Sequence, residues 1–226
     1  MLLEVVVDEP IRLAATGFAE YVTASPTTRD NKLPAFKFKH KGEGAGRSGY
    51  YAFALRTIVH YHRSGRDKAI LEAARQELLA ALPNARDHLA TTKIQRNISA
   101  IEAYDRLYGQ RRFKVLINHR IAHRQGALTV TAQPDLWVSE DDVEVLIKVG
   151  VTRKKPIETE MLLHLIRKAA IQHGYRVRAR NVVYLDIATG HERICAARIT
   201  RFNRTFAAAA NRIANVWPSI KEPGIA

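Results

Sequence analysis

The chain has 226 residues, of which 46% are hydrophobic and 26% are charged, a balance typical of a globular protein and not of a disordered one. Lys and Arg number 36 against 22 Asp and Glu, for a net charge of +14, and residues 151–226 alone hold 14 basic and 5 acidic side chains. An excess of this size favours a polyanionic partner such as nucleic acid, although a solvated basic surface without such a partner is the alternative.

Cysteine content and hydropathy exclude several classes of protein. Cys195 is the only cysteine, so the chain cannot form an internal disulfide or, by itself, a cysteine-based zinc site or iron–sulfur cluster. No apolar run approaches the roughly 20 residues of a membrane span, and no signal-peptide pattern precedes the short strand-like run at residues 2–7. We expect a cytoplasmic protein that does not associate with membranes.

The N-terminal region starts with that strand and a predicted helix over residues 11–23, and continues with a polar, irregular segment at residues 27–49. Aromatic and basic side chains alternate in this segment: Phe36, Lys37, Phe38, Lys39 and Lys41. Such alternation can stack bases and contact phosphates, but it is equally typical of an edge strand with solvated lysines beside a glycine loop. Both interpretations remain open from the sequence.

Helical periodicity follows over three stretches. Residues 50–62 and 66–82 predict a helical hairpin interrupted at Ser64-Gly65, and residues 88–108 predict a long helix with Asp87 as its N-cap. From residue 112 the pattern changes to strands, which we place at residues 113–124, in a hairpin at 127–151, and at 181–188 and 193–199. Helices are predicted between them at residues 157–173 and after them at 201–216.

The hairpin at residues 127–151 organises the chain, because two apolar, β-branched runs flank an acidic turn. We predict a four-residue loop at residues 139–142, closed by pairing of Val138 with Val143. This pairing places Asp135 opposite Leu146, with Glu144 and Lys148 as its diagonal neighbours at about 7 to 8 Å. One acidic group and one lysine then share a face of the sheet.

Lys148 is exceptional because the residues around it form an apolar run that is typical of a strand buried on both faces. An unpaired ammonium group there would cost several kcal/mol. We therefore expect either a partner, for which Asp135 is the nearest candidate, or a position beside a cleft.

The combination of Pro134-Asp135 on one strand and Lys148 on the next resembles the PD-(D/E)XK nuclease superfamily, particularly its RecB-like branch. The predicted order of helix, three strands, helix and strand is similar to the core of that family. The resemblance implies an α/β fold with a restriction-endonuclease-like core, a mixed sheet of about five strands flanked by helices. We expect this nuclease-like domain at residues 87–226, and an N-terminal, mostly helical appendage with a basic Gly-rich loop at residues 1–86.

In that family an aspartate and a second carboxylate hold Mg²⁺ or Mn²⁺, while the lysine orients or activates the attacking water. The resemblance assigns the aspartate to Asp135 and the lysine to Lys148, but the second carboxylate position is occupied by Leu146. Glu144 lies two residues further back on the same face as a shifted ligand, and Glu102 and Glu158 are further candidates. CRISPR-adaptation exonucleases of this branch also carry cysteines for an iron–sulfur cluster, which this chain lacks.

The degenerate motif favours a nucleic-acid-binding protein on an inactive nuclease-like scaffold, without a metal cofactor. We expect DNA more than RNA as the ligand, and a role as a subunit of a larger nucleic-acid-processing or CRISPR-type defence assembly. One alternative is an active Mg²⁺- or Mn²⁺-dependent deoxyribonuclease with Asp135, Glu144 and Lys148 as catalytic residues, the two carboxylates holding the metal. A second alternative is a scaffold protein that binds an acidic protein partner.

Two basic clusters flank the helix predicted at residues 157–173, and with the N-terminal lysines they are the candidate phosphate contacts. The first precedes the helix and consists of Arg153, Lys154 and Lys155; the second follows it and consists of Arg176, Arg178 and Arg180. The three alternating arginines project to one side of an extended segment. Lys37, Lys39 and Lys41 complete the predicted nucleic-acid-binding set.

Overall fold

The computed structural model describes residues 10–38, 50–198 and 200–221. Within these residues the α-helices are α1 (Ala15–Thr23), α2 (Pro26–Lys37), α3 (Ala52–Arg63), α4 (Lys68–Ala81), α5 (His88–Tyr108), α6 (Pro156–Gln172) and α7 (Thr200–Val216). The strands in the same residues are β1 (Ile11–Ala14), β2 (Lys114–Val115), β3 (Ala122–Gln125), β4 (Leu128–Thr131), β5 (Leu136–Glu140), β6 (Val143–Gly150), β7 (Val182–Asp186) and β8 (His191–Ile194).

The strands form two sheets. The main sheet has five strands in the order β2-β5-β6-β7-β8, and a small sheet has the order β1-β4-β3. In the main sheet β6 and β7 are parallel and are joined through α6, as a parallel pair requires, whereas the other neighbours are antiparallel. The predicted α/β class with a mixed, five-stranded sheet is confirmed.

The β5–β6 hairpin has a tighter turn than the sequence analysis predicts. Glu140 pairs with Val143, so the loop contains only Asp141 and Asp142, whose φ angles are +49° and +61°. Two successive left-handed residues match the twist of a two-residue hairpin, and aspartate tolerates this conformation. The predicted four-residue loop is therefore wrong, and the pairing is shifted by two residues.

This shift preserves the two faces of the hairpin but changes which residues oppose each other. Val138 pairs with Val145 and Leu136 with Ile147, and continuation of this register brings Asp135 opposite Lys148. The prediction that Asp135 lies opposite Leu146 is wrong, since Trp137 occupies that position. Lys148 becomes the cross-strand neighbour of Asp135 and not its diagonal one.

The main sheet is buried on both faces, which explains the apolar run around Lys148. Val145, Ile147 and Val149 face a core formed with α3, α4 and α5. Leu146 and Tyr184 face the second core, formed with α1, α6, α7 and the small sheet. Alternation along a strand buried on both faces produces a continuous apolar sequence.

Several helices form where periodicity and capping predict them. The bounds of α5 coincide with the prediction, and the Asp87 carboxylate accepts a hydrogen bond from the N–H of Ala90 at 2.7 Å. Helix α6 starts at Pro156, whose fixed φ suits a first helical position. For these two helices, the residues at the helix start are sufficient to predict where the helix begins.

The N-terminal region differs from its prediction in two places. Residues 11–14 form β1, which pairs in parallel with β4, before the helix begins at residue 15. Residues 26–37 form α2, where an irregular segment or an edge strand was expected; the Ser25 hydroxyl caps it and Pro26 begins it. The predicted strand at residues 2–7 lies outside the described residues.

The strand predicted over residues 113–124 is divided between the two sheets. Only Lys114 and Val115 pair with β5 in the main sheet, whereas residues 122–125 form β3 in the small sheet. Helix α3 contributes to the core beneath the main sheet, and β1 pairs with β4, so elements on both sides of residue 86 share the cores. The boundary between residues 86 and 87 stays a prediction.

Candidate nucleic-acid interface

Asp135 and Lys148 form an ion pair at the end of the β5–β6 ladder. The Lys148 Nζ donates to Oδ1 of Asp135 at 2.7 Å, and the backbone N–H of Val149 donates to Oδ2 at 2.8 Å. The side chains of Lys148 and Asp135 are only 20% and 15% exposed. The mostly buried lysine therefore has the partner that the sequence predicts, and each carboxylate oxygen accepts one hydrogen bond.

The position of the second carboxylate in the nuclease motif belongs to the hydrophobic core. Leu146 is 1% exposed and lies opposite Trp137, which is equally buried. Neither side chain offers an oxygen ligand to a hard cation such as Mg²⁺.

Glu144 does not lie near Asp135. Its Oε1 accepts a hydrogen bond from the indole N–H of Trp137 at 2.5 Å. Because Lys148 opposes Asp135, Glu144 is four residues away along β6, or about 13 Å at the usual rise of a strand. The predicted diagonal contact between Glu144 and Asp135 is wrong, and the cause is the two-residue change in register.

The other two candidate carboxylates also have separate partners. Glu102 lies on the exposed face of α5 and accepts from Arg75 at 2.8 Å. Glu158 lies in the first turn of α6 and accepts from the Thr23 hydroxyl at 3.4 Å. Across residues 10–38, 50–198 and 200–221 no group of three or more His, Cys, Asp or Glu side chains is placed to hold a metal ion. The donor set around Asp135 does not fit a resident Mg²⁺ or Mn²⁺.

A cleft of about 580 Å³ opens beside the Asp135–Lys148 pair. One wall is the loop before β5, with Gln133 and Pro134, and the opposite wall is α3. Helix α3 presents Arg56, His60 and Arg63 to this cleft, at spacings of four and three residues that place them on one helical face. We call these three side chains the α3 basic ridge.

The α3 basic ridge makes the cleft electropositive. Arg56, His60 and Arg63 are exposed, and none of their side chains forms a hydrogen bond or ion pair within the described ranges. Among the described residues that line the cleft, Asp135 is the only acidic one, and Lys148 neutralises it. The sequence analysis missed this ridge. The pattern that could have revealed it is the spacing of three basic residues on the polar face of a predicted helix.

The basic cluster before α6 lies at the same end of the main sheet as the cleft. The loop at residues 151–155 follows β6 directly, so it begins three residues after Lys148. Arg153 and Lys155 are exposed, whereas Lys154 is mostly buried and contacts Glu20 at 3.5 Å. Arg153 and Lys155 are thus available for a polyanion, and Lys154 is already paired.

The arginines after α6 are exposed, but Arg180 lies in a 3₁₀ turn at Ala179–Asn181 and not in the extended segment that was predicted. Arg176, Arg178 and Arg180 are exposed, while the residues between them pack against the core beside α6. Helix α6 has 17 residues and therefore separates the two basic clusters by about 25 Å. A ligand must be long to reach both clusters.

Lys37, a predicted phosphate contact, has two contacts within the protein. Its Nζ donates to the carbonyl oxygens of Trp217 at 2.7 Å and Ile220 at 3.0 Å, which ties α2 to the turn after α7. The predicted contacts Lys39 and Lys41 lie outside the described residues.

A second group with catalytic residue types lies within the core. The Sγ of Cys195 is 3.4 Å from Nδ1 of His164, whose Nε2 is 3.7 Å from a Glu160 carboxylate oxygen. Burial raises the pKa of the Cys195 thiol to about 11 and lowers the pKa of His164. Both side chains are under 5% exposed, so the thiol is neither ionised nor accessible as a nucleophile.

Comparisons with known proteins identify no related protein from which a function could be inferred. The sequence matches no protein-family model and has no significant match among curated proteins. None of the helices in the described part of the chain is long and apolar enough to cross a membrane.

Proposed function

We propose that this protein binds nucleic acid on a PD-(D/E)XK-like scaffold that has lost its metal chemistry. The observation that carries the proposal is the open cleft at the end of the hairpin, which is lined both by the α3 basic ridge and by the Asp135–Lys148 pair. Two guanidinium groups and an imidazole converge there with a single, neutralised carboxylate. A phosphate backbone complements this arrangement, because Arg side chains form strong charge-assisted hydrogen bonds with phosphate.

The topology supports the scaffold part of the proposal. Helix α5 precedes three strands of the main sheet, β2, β5 and β6, which are followed by α6 and the parallel strand β7. This is the order helix, three strands, helix, strand, with the β3–β4 hairpin inserted after β2. The aspartate and lysine of the motif are in direct contact on adjacent strands.

The groups around Asp135 support the loss of metal chemistry. One of its oxygens faces an ammonium group and the other faces a backbone N–H. Leu146 replaces the second carboxylate, and Glu144 is held by Trp137. A cation in this place would have one carboxylate ligand, whereas Mg²⁺ requires nearly octahedral oxygen coordination.

We propose DNA as the main ligand and a larger nucleic-acid-processing or defence assembly as the setting. An inactive binding subunit needs a partner that performs the chemistry, and the net charge of +14 suits a nucleoprotein complex. An acidic protein partner would use the same charge, but its carboxylates are not spaced along a continuous backbone as phosphates are, so the cleft between α3 and the loop before β5 suits it less well.

Salt dependence of binding tests the proposal. The affinity for a fluorescent DNA oligonucleotide is measured by anisotropy between about 50 and 200 mM salt for the wild type and for Arg56→Gln/Arg63→Gln. Each lost phosphate contact lowers the slope of log affinity against log salt by about 0.7 to 0.9, so the double variant should lose about 1.5 units.

The matched control is Arg201→Gln/Arg204→Gln on α7, which removes the same charge from exposed positions on the opposite side of the main sheet. Its slope should remain that of the wild type. Equal losses in both variants would indicate a diffuse basic surface, and no binding by the wild type would reject nucleic acid as the ligand.

A further inference from the structure

We infer that the bound nucleic acid is single-stranded and that one unpaired base enters a groove between α3 and α4. The inference rests on the proposed function and deepens it by naming the class of nucleic acid. It starts from a second cavity of about 400 Å³, on the other side of the α3 basic ridge.

The groove and the cleft share Arg56 and His60, which separate them. The cleft contains the charged side chains of Asp135 and Lys148 beside the ridge, whereas the α4 wall of the groove is mostly apolar and Glu77 is its acidic member. Its apolar wall consists of Phe53 from α3 and Ile70, Ala73 and Ala74 from α4. A ligand that crosses the ridge therefore places charge on one side and apolar surface on the other.

An unpaired nucleotide has this distribution of charge and apolar surface. Its phosphate can contact Arg56 on the ridge, while its base can enter the groove and contact the Phe53 ring, which is half-buried. Aromatic side chains bind bases in single strands by stacking, without regard to sequence. The groove volume lies within the usual range of small-ligand pockets, about 300 to 1,000 Å³.

Glu77 adds a polar group at the rim of the groove. Its carboxylate is exposed and can accept hydrogen bonds from the exocyclic amino group of cytosine, adenine or guanine. Thymine lacks such an amino group. The Thr57 hydroxyl does not compete for the base, since it donates to the carbonyl of Phe53 at 3.1 Å.

A paired base cannot use this groove. In a duplex each base is stacked and bound to its complement, so entry into a lateral pocket requires that it leave the helix, which costs a few kcal/mol. A single strand does not have this cost. The groove therefore predicts that single strands bind more tightly than duplexes. Phosphate contacts with the ridge alone would not distinguish the two forms.

The experiment compares a single-stranded oligonucleotide with its own duplex, using anisotropy at one salt concentration. The test variant is Ala73→Leu, which fills the groove from an exposed position of α4, and the control is Ala80→Leu, exposed on the same helix but outside the groove. We expect the wild type and Ala80→Leu to bind the single strand about 10-fold more tightly than the duplex. Ala73→Leu should bind the two forms about equally.

A second pair of variants separates stacking from simple apolar contact. Phe53→Tyr retains the aromatic ring and should keep the preference, whereas Phe53→Leu should lose most of it with an unchanged salt slope. Equal wild-type affinities for the two forms, or an unaltered preference in Ala73→Leu, would overturn the inference and leave the proposed function intact. No binding to either form would reject the proposed function itself.

Discussion

The carboxylate of Asp135 accepts a hydrogen bond from the Lys148 ammonium group at 2.7 Å across adjacent strands. The same carboxylate also accepts the N–H of Val149. This contact neutralises a lysine inside an apolar strand. The pair is therefore the element on which both the stability of this end of the hairpin and the proposed loss of metal chemistry depend.

Removal of the two partners should have unequal effects on stability. Asp135→Ala leaves an ammonium group and a backbone N–H without their acceptor in a mostly buried place, so we expect the free energy of unfolding to fall by about 2 to 3 kcal/mol. Lys148→Met substitutes an unbranched apolar chain and leaves the Val149 contact to Asp135, so we expect a loss under about 1.5 kcal/mol. Urea denaturation measures both, and equal stabilities of Asp135→Ala and wild type would show that the pair contributes nothing.

His62 should make stability depend on pH. The ring is 3% exposed, its Nε2 lies 2.8 Å from the Tyr104 hydroxyl, and burial lowers the pKa of His62 from 6.5 to about 4. Between pH 6.5 and 4 the unfolded chain protonates His62, whereas the folded chain keeps the ring neutral. The contribution of His62 to the free energy of unfolding is therefore fully present above pH 6.5 and is lost as the pH falls towards 4. The difference of about 2.5 pKa units corresponds to about 3 kcal/mol.

The measurement is the urea midpoint of wild type and His62→Gln at several values between pH 7.5 and 4. The difference between the two proteins isolates His62 from the carboxylates that titrate in the same range. The wild type should lose its advantage over the variant as the pH decreases, and parallel curves would contradict a buried, neutral histidine.

Gly150 should not tolerate a side chain, although its backbone is an ordinary β-strand. A Cβ atom at this position overlaps the hydroxyl end of Tyr184, which leans across it from β7. We expect Gly150→Ala to destabilise the protein by about 1 to 3 kcal/mol because the tyrosine must move. In a double-mutant cycle Tyr184→Leu should remove most of this penalty, and purely additive losses would show that the two positions do not interact.

The arginines after α6 should matter only for long ligands. Arg176, Arg178 and Arg180 lie about 25 Å from the basic loop before the helix, which is about 7 base pairs of duplex. Replacement of all three by Gln should lower the salt slope by about two units with a 30-base-pair duplex and leave it unchanged with a 6-base-pair duplex, which is too short to reach both clusters. An equal effect on both lengths would place the principal binding surface at these arginines and not at the cleft.

Local signals were sufficient to predict much of this structure. The long helix α5, the crossover helix α6 and the pairing of Asp135 with Lys148 follow from periodicity, capping and the cost of an unpaired buried charge. The register of the hairpin was less predictable, because Asp141 and Asp142 both adopt left-handed conformations that aspartate tolerates but does not require.

The cleft itself could not be predicted from the sequence. Arg56 and Lys148 are 92 positions apart, and only the packing of α3 against the main sheet brings them to one cavity. The pairing of β1 with β4 is similarly non-local, so the run at residues 11–14 read as the start of a helix. Tertiary contacts of this kind override local preference.

The central claim, binding in the cleft without cleavage, is tested most directly by recovering the DNA from the complex. The protein in molar excess is incubated with end-labelled single-stranded and duplex DNA and Mn²⁺, the complex is isolated on a native gel, and its DNA is resolved on a denaturing gel. We predict a complex that contains full-length DNA and that weakens in Arg56→Gln/Arg63→Gln. Shortened products that disappear in Asp135→Ala would contradict the account, because they would show that the Asp135 site still performs metal-dependent hydrolysis.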